Sequence, residues 1–76
     1  MFLKIVYDNN QAVDLQVSPY ALVDHIAARA ANELNLVGNY TLSYKGEILT
    51  NLPIKHHILA RHILSGDRLY LEHIYD

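Results

Sequence analysis

Apolar and polar residues alternate from the start of the chain. Leu3, Ile5 and Tyr7 fall on one side of a two-residue period and Phe2, Lys4, Val6 and Asp8 on the other, which predicts a strand. Asp8-Asn9-Asn10 reads as a turn, because Asn and Asp tolerate positive φ and bond their own backbone. Val13, Leu15 and Val17 then alternate with Asp14 and Gln16, predicting a second strand antiparallel to the first. Ser18-Pro19 ends it, since proline cannot donate to a ladder.

The period then changes. Leu22/Val23, Ile26, Ala27, Ala30 and Leu34 recur at three and four, one face of a helix within residues 19–34, and the run Ala27-Ala28-Arg29-Ala30-Ala31 favours helix intrinsically. Two starts are open: Ser18 as N-cap with Pro19 at the first helical position, or a start after Tyr20. Asn35 followed by Leu36 suits a left-handed C-cap. After Gly38-Asn39 the two-residue period returns, with Tyr40, Leu42 and Tyr44 against Thr41, Ser43 and Lys45. Lys45-Gly46-Glu47 turns into a short Ile48-Leu49 strand. Asn51-Leu52-Pro53 is a loop, Ile58 to Ile63 a short helical turn, and Gly66-Asp67 turns into a last strand from Arg68 to about His73.

Seventy-six residues make one domain, residues 1–76. A domain this small buries only about 60% of its unfolded surface, so most apolar residues must serve a single core. Half of the residues are apolar, too many for a disordered chain. The absence of cysteine excludes disulfides, thiolate nucleophiles and Cys-based zinc or iron–sulfur sites. Net charge is −2, and the six Lys/Arg are spread along the chain, which argues against nucleic acid as a partner. No apolar run reaches 18 residues, and Met1-Phe2-Leu3-Lys4-Ile5 lacks the features of a secretory leader, so the expectation is a cytoplasmic protein without membrane insertion.

No nucleophile elbow, P-loop, dinucleotide loop or zinc-protease motif occurs, so neither catalytic residues nor a cofactor is expected. Five histidines are many for this length. His56, His57 and His62 cluster, but His57 and His62 are five apart, a poor spacing for one helical face. They read as solvated loop histidines ahead of a metal site or a pH sensor. Asp67 beside Arg68 reads as a turn aspartate at the start of a strand.

The order strand, strand, helix, strand, short strand, helical turn, strand resembles the ubiquitin-like β-grasp. This is an α+β fold whose mixed five-stranded sheet carries one helix across one face and a short helical turn before the last strand. Val13, Leu15, Val17, Pro19, Val23, Leu42-x-Tyr44-x-Gly46, Leu49, Ile58, Ile63 and Leu69-x-Leu71 carry the resemblance. Val13-Asp14-Leu15-Gln16-Val17-Ser18-Pro19-Tyr20 and Ile63-Leu64-Ser65-Gly66-Asp67-Arg68-Leu69 are most similar to the YukD/EsaB family, small ubiquitin-like proteins encoded with the type VII (ESX-type) secretion machinery of Gram-positive bacteria. That resemblance implies a non-catalytic accessory or regulatory protein. Its partners would be membrane-anchored components of the secretion machine, with a homodimer as a further mode. A ubiquitin-like interaction domain of a defence or phage system is the alternative. A modifier or sulfur carrier is disfavoured, because Tyr75-Asp76 stand where a conjugated member carries Gly-Gly.

Ubiquitin's recognition face is an apolar patch on strands three and five, and the matching residues here are Ser43 and Glu72. In that register Tyr70 points to the outer sheet face, beside Ser43 and near Lys4, with Phe2 and Val6 adding apolar surface. The candidate protein-binding surface is therefore Lys4, Tyr40, Ser43, Tyr70 and Glu72. Leu59 and Leu64, exposed in the helical turn, form a secondary candidate.

Overall fold

The computed structural model describes residues 1–74. The expectation of an unconjugatable C-terminus falls on Tyr75 and Asp76, outside the described residues. The strands are β1 (Phe2–Asp8), β2 (Gln11–Gln16), β3 (Asn39–Tyr44), β4 (Glu47–Ile48) and β5 (Arg68–Ile74), and the helices are α1 (Val23–Glu33) and α2 (Ile54–Arg61). They form one sheet in the order β2-β1-β5-β3-β4. The central pair β1–β5 is parallel and the other three pairs are antiparallel. Leu3, Ile5, Leu15, Leu42, Leu69 and Leu71 leave the sheet on one side and meet Val23, Ile26, Ala27 and Ala30 of α1. Each large side chain fully buried there contributes roughly 1.5–3 kcal/mol.

Of the two starts left open for α1, the Ser18 cap is not used, and the helix starts after Tyr20. Ser18 instead closes an exposed turn, its Oγ accepting the Tyr20 N–H at 3.2 Å. The helix begins at Val23, and no side chain adjacent in sequence caps it. The loop before α2 supplies the partners. Val23 N–H donates to the Leu52 carbonyl at 3.2 Å, and Asp24 N–H donates to Asn51 Oδ1 at 3.1 Å. The return contacts satisfy α2, whose Ile54 and Lys55 amides donate to the carbonyls of Ala21 and Pro19 at 2.8 and 2.9 Å. Two helix starts thus cap each other, answering the requirement that first-turn amides find acceptors. At its other end α1 closes as expected. Asn35 is left-handed, with φ 58°, and the Leu36 amide reaches back to the Ala31 carbonyl at 2.9 Å, a Schellman closure.

The helical turn placed at Ile58 to Ile63 is the later part of a two-turn helix that already starts at Ile54, with Pro53 at its N-cap. The burial of Ile54 and His57 draws the earlier residues in. Left-handed His62, φ 54°, ends α2 and turns the chain so that Ile63 enters the core.

Candidate protein-binding face

The sheet side away from α1 is the candidate site. Strand register aligns one row of residues across all five strands of this outer face. Ala12 of β2 is opposite Val6 of β1, Val6 opposite Tyr70 of β5, Tyr70 opposite Ser43 of β3, and Ser43 opposite Ile48 of β4. Tyr70 stands near the middle, 39% exposed, and Ile48 ends the row at 55%. On one side of the row lie Lys4 and Arg68, directly opposite each other across β1 and β5. On the other lies Glu72. Lys4, Val6, Asp8, Ala12, Arg68 and Tyr70 share one shallow hollow of about 470 Å³. A second, of about 480 Å³, adjoins it through Arg68 and Tyr70 and reaches Lys45 and Gly66.

Lys4, Tyr70 and Glu72 thus fall on one face, as the sequence reading placed them. Two other members of that set do not present themselves there. Ser43 is only 3% exposed. Its hydroxyl donates to Glu72 Oε1 at 2.8 Å, so it positions the carboxylate and offers no surface of its own. Tyr40 lies on the opposite side of the sheet. It is three positions from Ser43, and an odd offset along a strand changes face. Its cross-strand partner is His73, with ring centroids 5.0 Å apart, and Tyr7 meets its ring edge-on at 5.9 Å. Tyr40 packs against the core, as the alternation with Leu42 requires.

Ile48 and Arg68 belong to the face and were missed. A signal for Ile48 was present. Lys45 and Gly66's counterpart in the earlier turn, Gly46, have φ 50° and 84°, the double positive φ of a tight two-residue hairpin. That turn pairs Tyr44 with Glu47 and so sets Ile48 opposite Ser43. Leu59 and Leu64 are strongly exposed, on α2 and in the loop after it.

The histidines separate. His56 and His62 are exposed, but His57 is 4% exposed and is not a solvated loop residue. Its Nε2 lies 2.8 Å from the Thr50 carbonyl and its Nδ1 3.0 Å from Arg61 Nη1. A guanidinium only donates, so Nδ1 accepts and the ring proton sits on Nε2, donating to Thr50. Arg61 also pairs with Glu47 at 2.6 Å, tying α2 to β4. Among the described residues no three His, Asp or Glu side chains gather as metal ligands. Asp67 acts in the turn before β5. Its Oδ2 accepts the Leu64 amide at 2.8 Å and the Tyr44 hydroxyl at 3.0 Å. The Leu64 amide first, then the Tyr44 hydroxyl, hold its carboxyl below the usual value of 3.8. Lys45 adds to this and partial desolvation opposes it.

No protein-family model and no curated protein matches the chain. Solved structures do. One is the solution structure of a computationally designed protein based on the template of human erythrocytic ubiquitin. It is 22% identical with a TM-score of 0.72, over 99% of this chain and 92% of that one. Another is a ubiquitin-like protein from the hyperthermophilic archaeon Caldiarchaeum subterraneum. It is 23% identical with a TM-score of 0.56, over 100% of this chain and 99% of that one. Sheet order, helix placement and these likenesses agree: the chain has the ubiquitin-like β-grasp fold.

Proposed function

We propose that this protein is a non-catalytic, cytoplasmic ubiquitin-like accessory protein of a type VII secretion system, acting by docking its outer sheet face onto a membrane-anchored component of that machine. The observation that carries the docking reading is the Ser43–Glu72 hydrogen bond beside exposed Tyr70. A carboxylate held in place next to an aromatic ring gives a surface with defined charge and shape, and Tyr is enriched where proteins meet. The secretion assignment is supported by the resemblance of residues 13–20 and 63–69 to the YukD/EsaB family.

The same geometry argues against ubiquitin receptors as partners. An apolar receptor surface would bury the Glu72 carboxylate unpaired, at a cost of several kcal/mol in order of magnitude. Tyr70→Arg tests the docking reading in a host lacking the native gene. The variant should fold, because Tyr70 faces solvent, and should fail to restore secretion of small substrates. Full secretion with Tyr70→Arg refutes the assignment to this face. A gene neighbourhood without a secretion ATPase would favour the defence or phage alternative.

A further inference from the structure

We propose that the outer face pairs with a second copy of this chain, through a two-fold axis lying in the interface along the row Val6–Tyr70. This rests on the reading of that face as a docking surface and names an occupant for it. The face has a charge symmetry that suits such a pairing. Along β5 the outward residues are Arg68, Tyr70 and Glu72, a cation and an anion equally spaced about the tyrosine. Along β1 Lys4 and Val6 repeat the cation and the apolar centre; past a register shift after Val6, Asp8 lines the same hollow at the hairpin end, where it accepts the Asn10 N–H at 2.8 Å. Val6 and Tyr70 are register partners, so both centres lie on one line across the sheet.

A rotation of 180° about that line lays β5 antiparallel over β5 of the second copy. Arg68 then faces Glu72 of the other chain, twice, and Lys4 faces the Asp8 end of the other β1. Val6, Tyr70, Ala12 and Ile48 supply the apolar centre. Two acidic residues lie on the cationic side: Asp14, opposite Lys4 on β2 at the margin of the sheet, and Asp67, beside Arg68 in the second hollow, where the Leu64 amide and the Tyr44 hydroxyl engage its carboxylate.

Within one chain these charges are left without ion pairs. Arg68 and Glu72 are four residues apart on a strand, about 13 Å, too far to meet. Among the described residues the one ion pair is Arg61–Glu47. Lys4 and Arg68, moreover, sit side by side as like charges, an arrangement that destabilises an isolated sheet. A second copy converts that cost into attraction.

The area sets the strength. A standard interface takes roughly 800 Å² from each partner, about a sixth of the 4898 Å² surface of this chain. Five strands about 4.8 Å apart and five residues of about 3.3 Å give a flat face of about 400 Å². The pair is therefore weak and salt-sensitive, and another partner on the same face displaces it.

The test is sedimentation velocity of the whole chain from roughly 10 µM to roughly 1 mM, at low and high salt. The wild type should dimerise within that range and dissociate with added salt. Arg68→Glu alone and Glu72→Arg alone should each associate at least about tenfold more weakly, because each sets like charges together. An equimolar mixture of the two variants should pair far more tightly than either variant alone and about as tightly as wild type, since both Arg–Glu cross contacts are restored. Tyr70→Ala in both variants should remove that pairing. A mixture that stays monomeric overturns the proposal, as does pairing that survives Tyr70→Ala, which marks undirected charge attraction. A monomeric wild type together with lost secretion in Tyr70→Arg overturns the self-pairing and spares the docking function. A dimer together with intact secretion in Tyr70→Arg overturns the secretion reading and spares the self-pairing.

Discussion

Asn51→Ala should destabilise the protein by about 1 kcal/mol, the ordinary cost of a lost helix N-cap, although Asn51 lies 27 residues beyond the helix amide it caps. Ser18→Ala should stay within about 0.5 kcal/mol, as surface changes usually do. The comparison is informative because Ser18-Pro19 has the form of a local N-cap, and in the structure the Ser18 hydroxyl serves the Tyr20 amide in an exposed turn. The Asn51 contact is itself exposed, so water recovers part of the lost bond and the cost sits near the middle of the capping range.

For a chain of this size a urea slope near 1 kcal/mol per M turns that cost into a midpoint shift of about 1 M. The thermal midpoint should fall by roughly 4–8 °C. Amide exchange supplies a local check. In Asn51→Ala the Asp24 amide should exchange faster. So should that of Ile54, because its bond to the Ala21 carbonyl stitches the same two segments. A Ser18→Ala variant as damaged as Asn51→Ala, or an Asn51→Ala midpoint equal to wild type, would refute the trans-capping argument.

Asp67→Asn should lower stability at neutral pH. The native carboxyl titrates below its unfolded value of 3.8, so its contribution is present above that value and is lost as pH falls through the lower native one. Denaturation curves of wild type and variant should therefore converge on acidification; a gap that persists or widens at low pH contradicts this. His57 should show the Nε2-protonated tautomer in long-range nitrogen–proton spectra, and a ring protonated on Nδ1 alone would contradict the assigned network. His57→Phe, which strips the partners from Thr50 and Arg61, should cost about 1–3 kcal/mol in urea unfolding. Gly38→Ala should cost more than Gly46→Ala. Both have positive φ, 114° and 84°, but only at Gly38 does a Cβ fall 2.7 Å from His73 Nε2. Equal thermal midpoints for the two variants would remove the steric part of that account.

Much of the fold was legible because it is local. A two-residue period is a property of one strand's backbone, so Leu3/Ile5, Leu42/Tyr44 and Leu69/Leu71 declared their buried side without reference to any neighbour. The same parity already assigned Tyr40 to the side of Leu42; grouping it with Ser43 set aside a rule the sequence states. Asn35 announced its left-handed cap because that conformation depends on the residue itself.

Other features required partners distant in the chain. The start of α1 depends on acceptors at Asn51 and Leu52, and the start of α2 on carbonyls at Pro19 and Ala21. His57 is buried because Thr50 and Arg61 receive it. Ser43 disappears from the surface through its bond to Glu72 and its place in the row between Tyr70 and Ile48. The candidate face follows the same division. Its residue types stand in the sequence, but the line joining Ala12, Val6, Tyr70, Ser43 and Ile48 exists only once four strand pairings set their registers. Alternation determines which way a side chain points; only the assembled sheet determines what stands beside it.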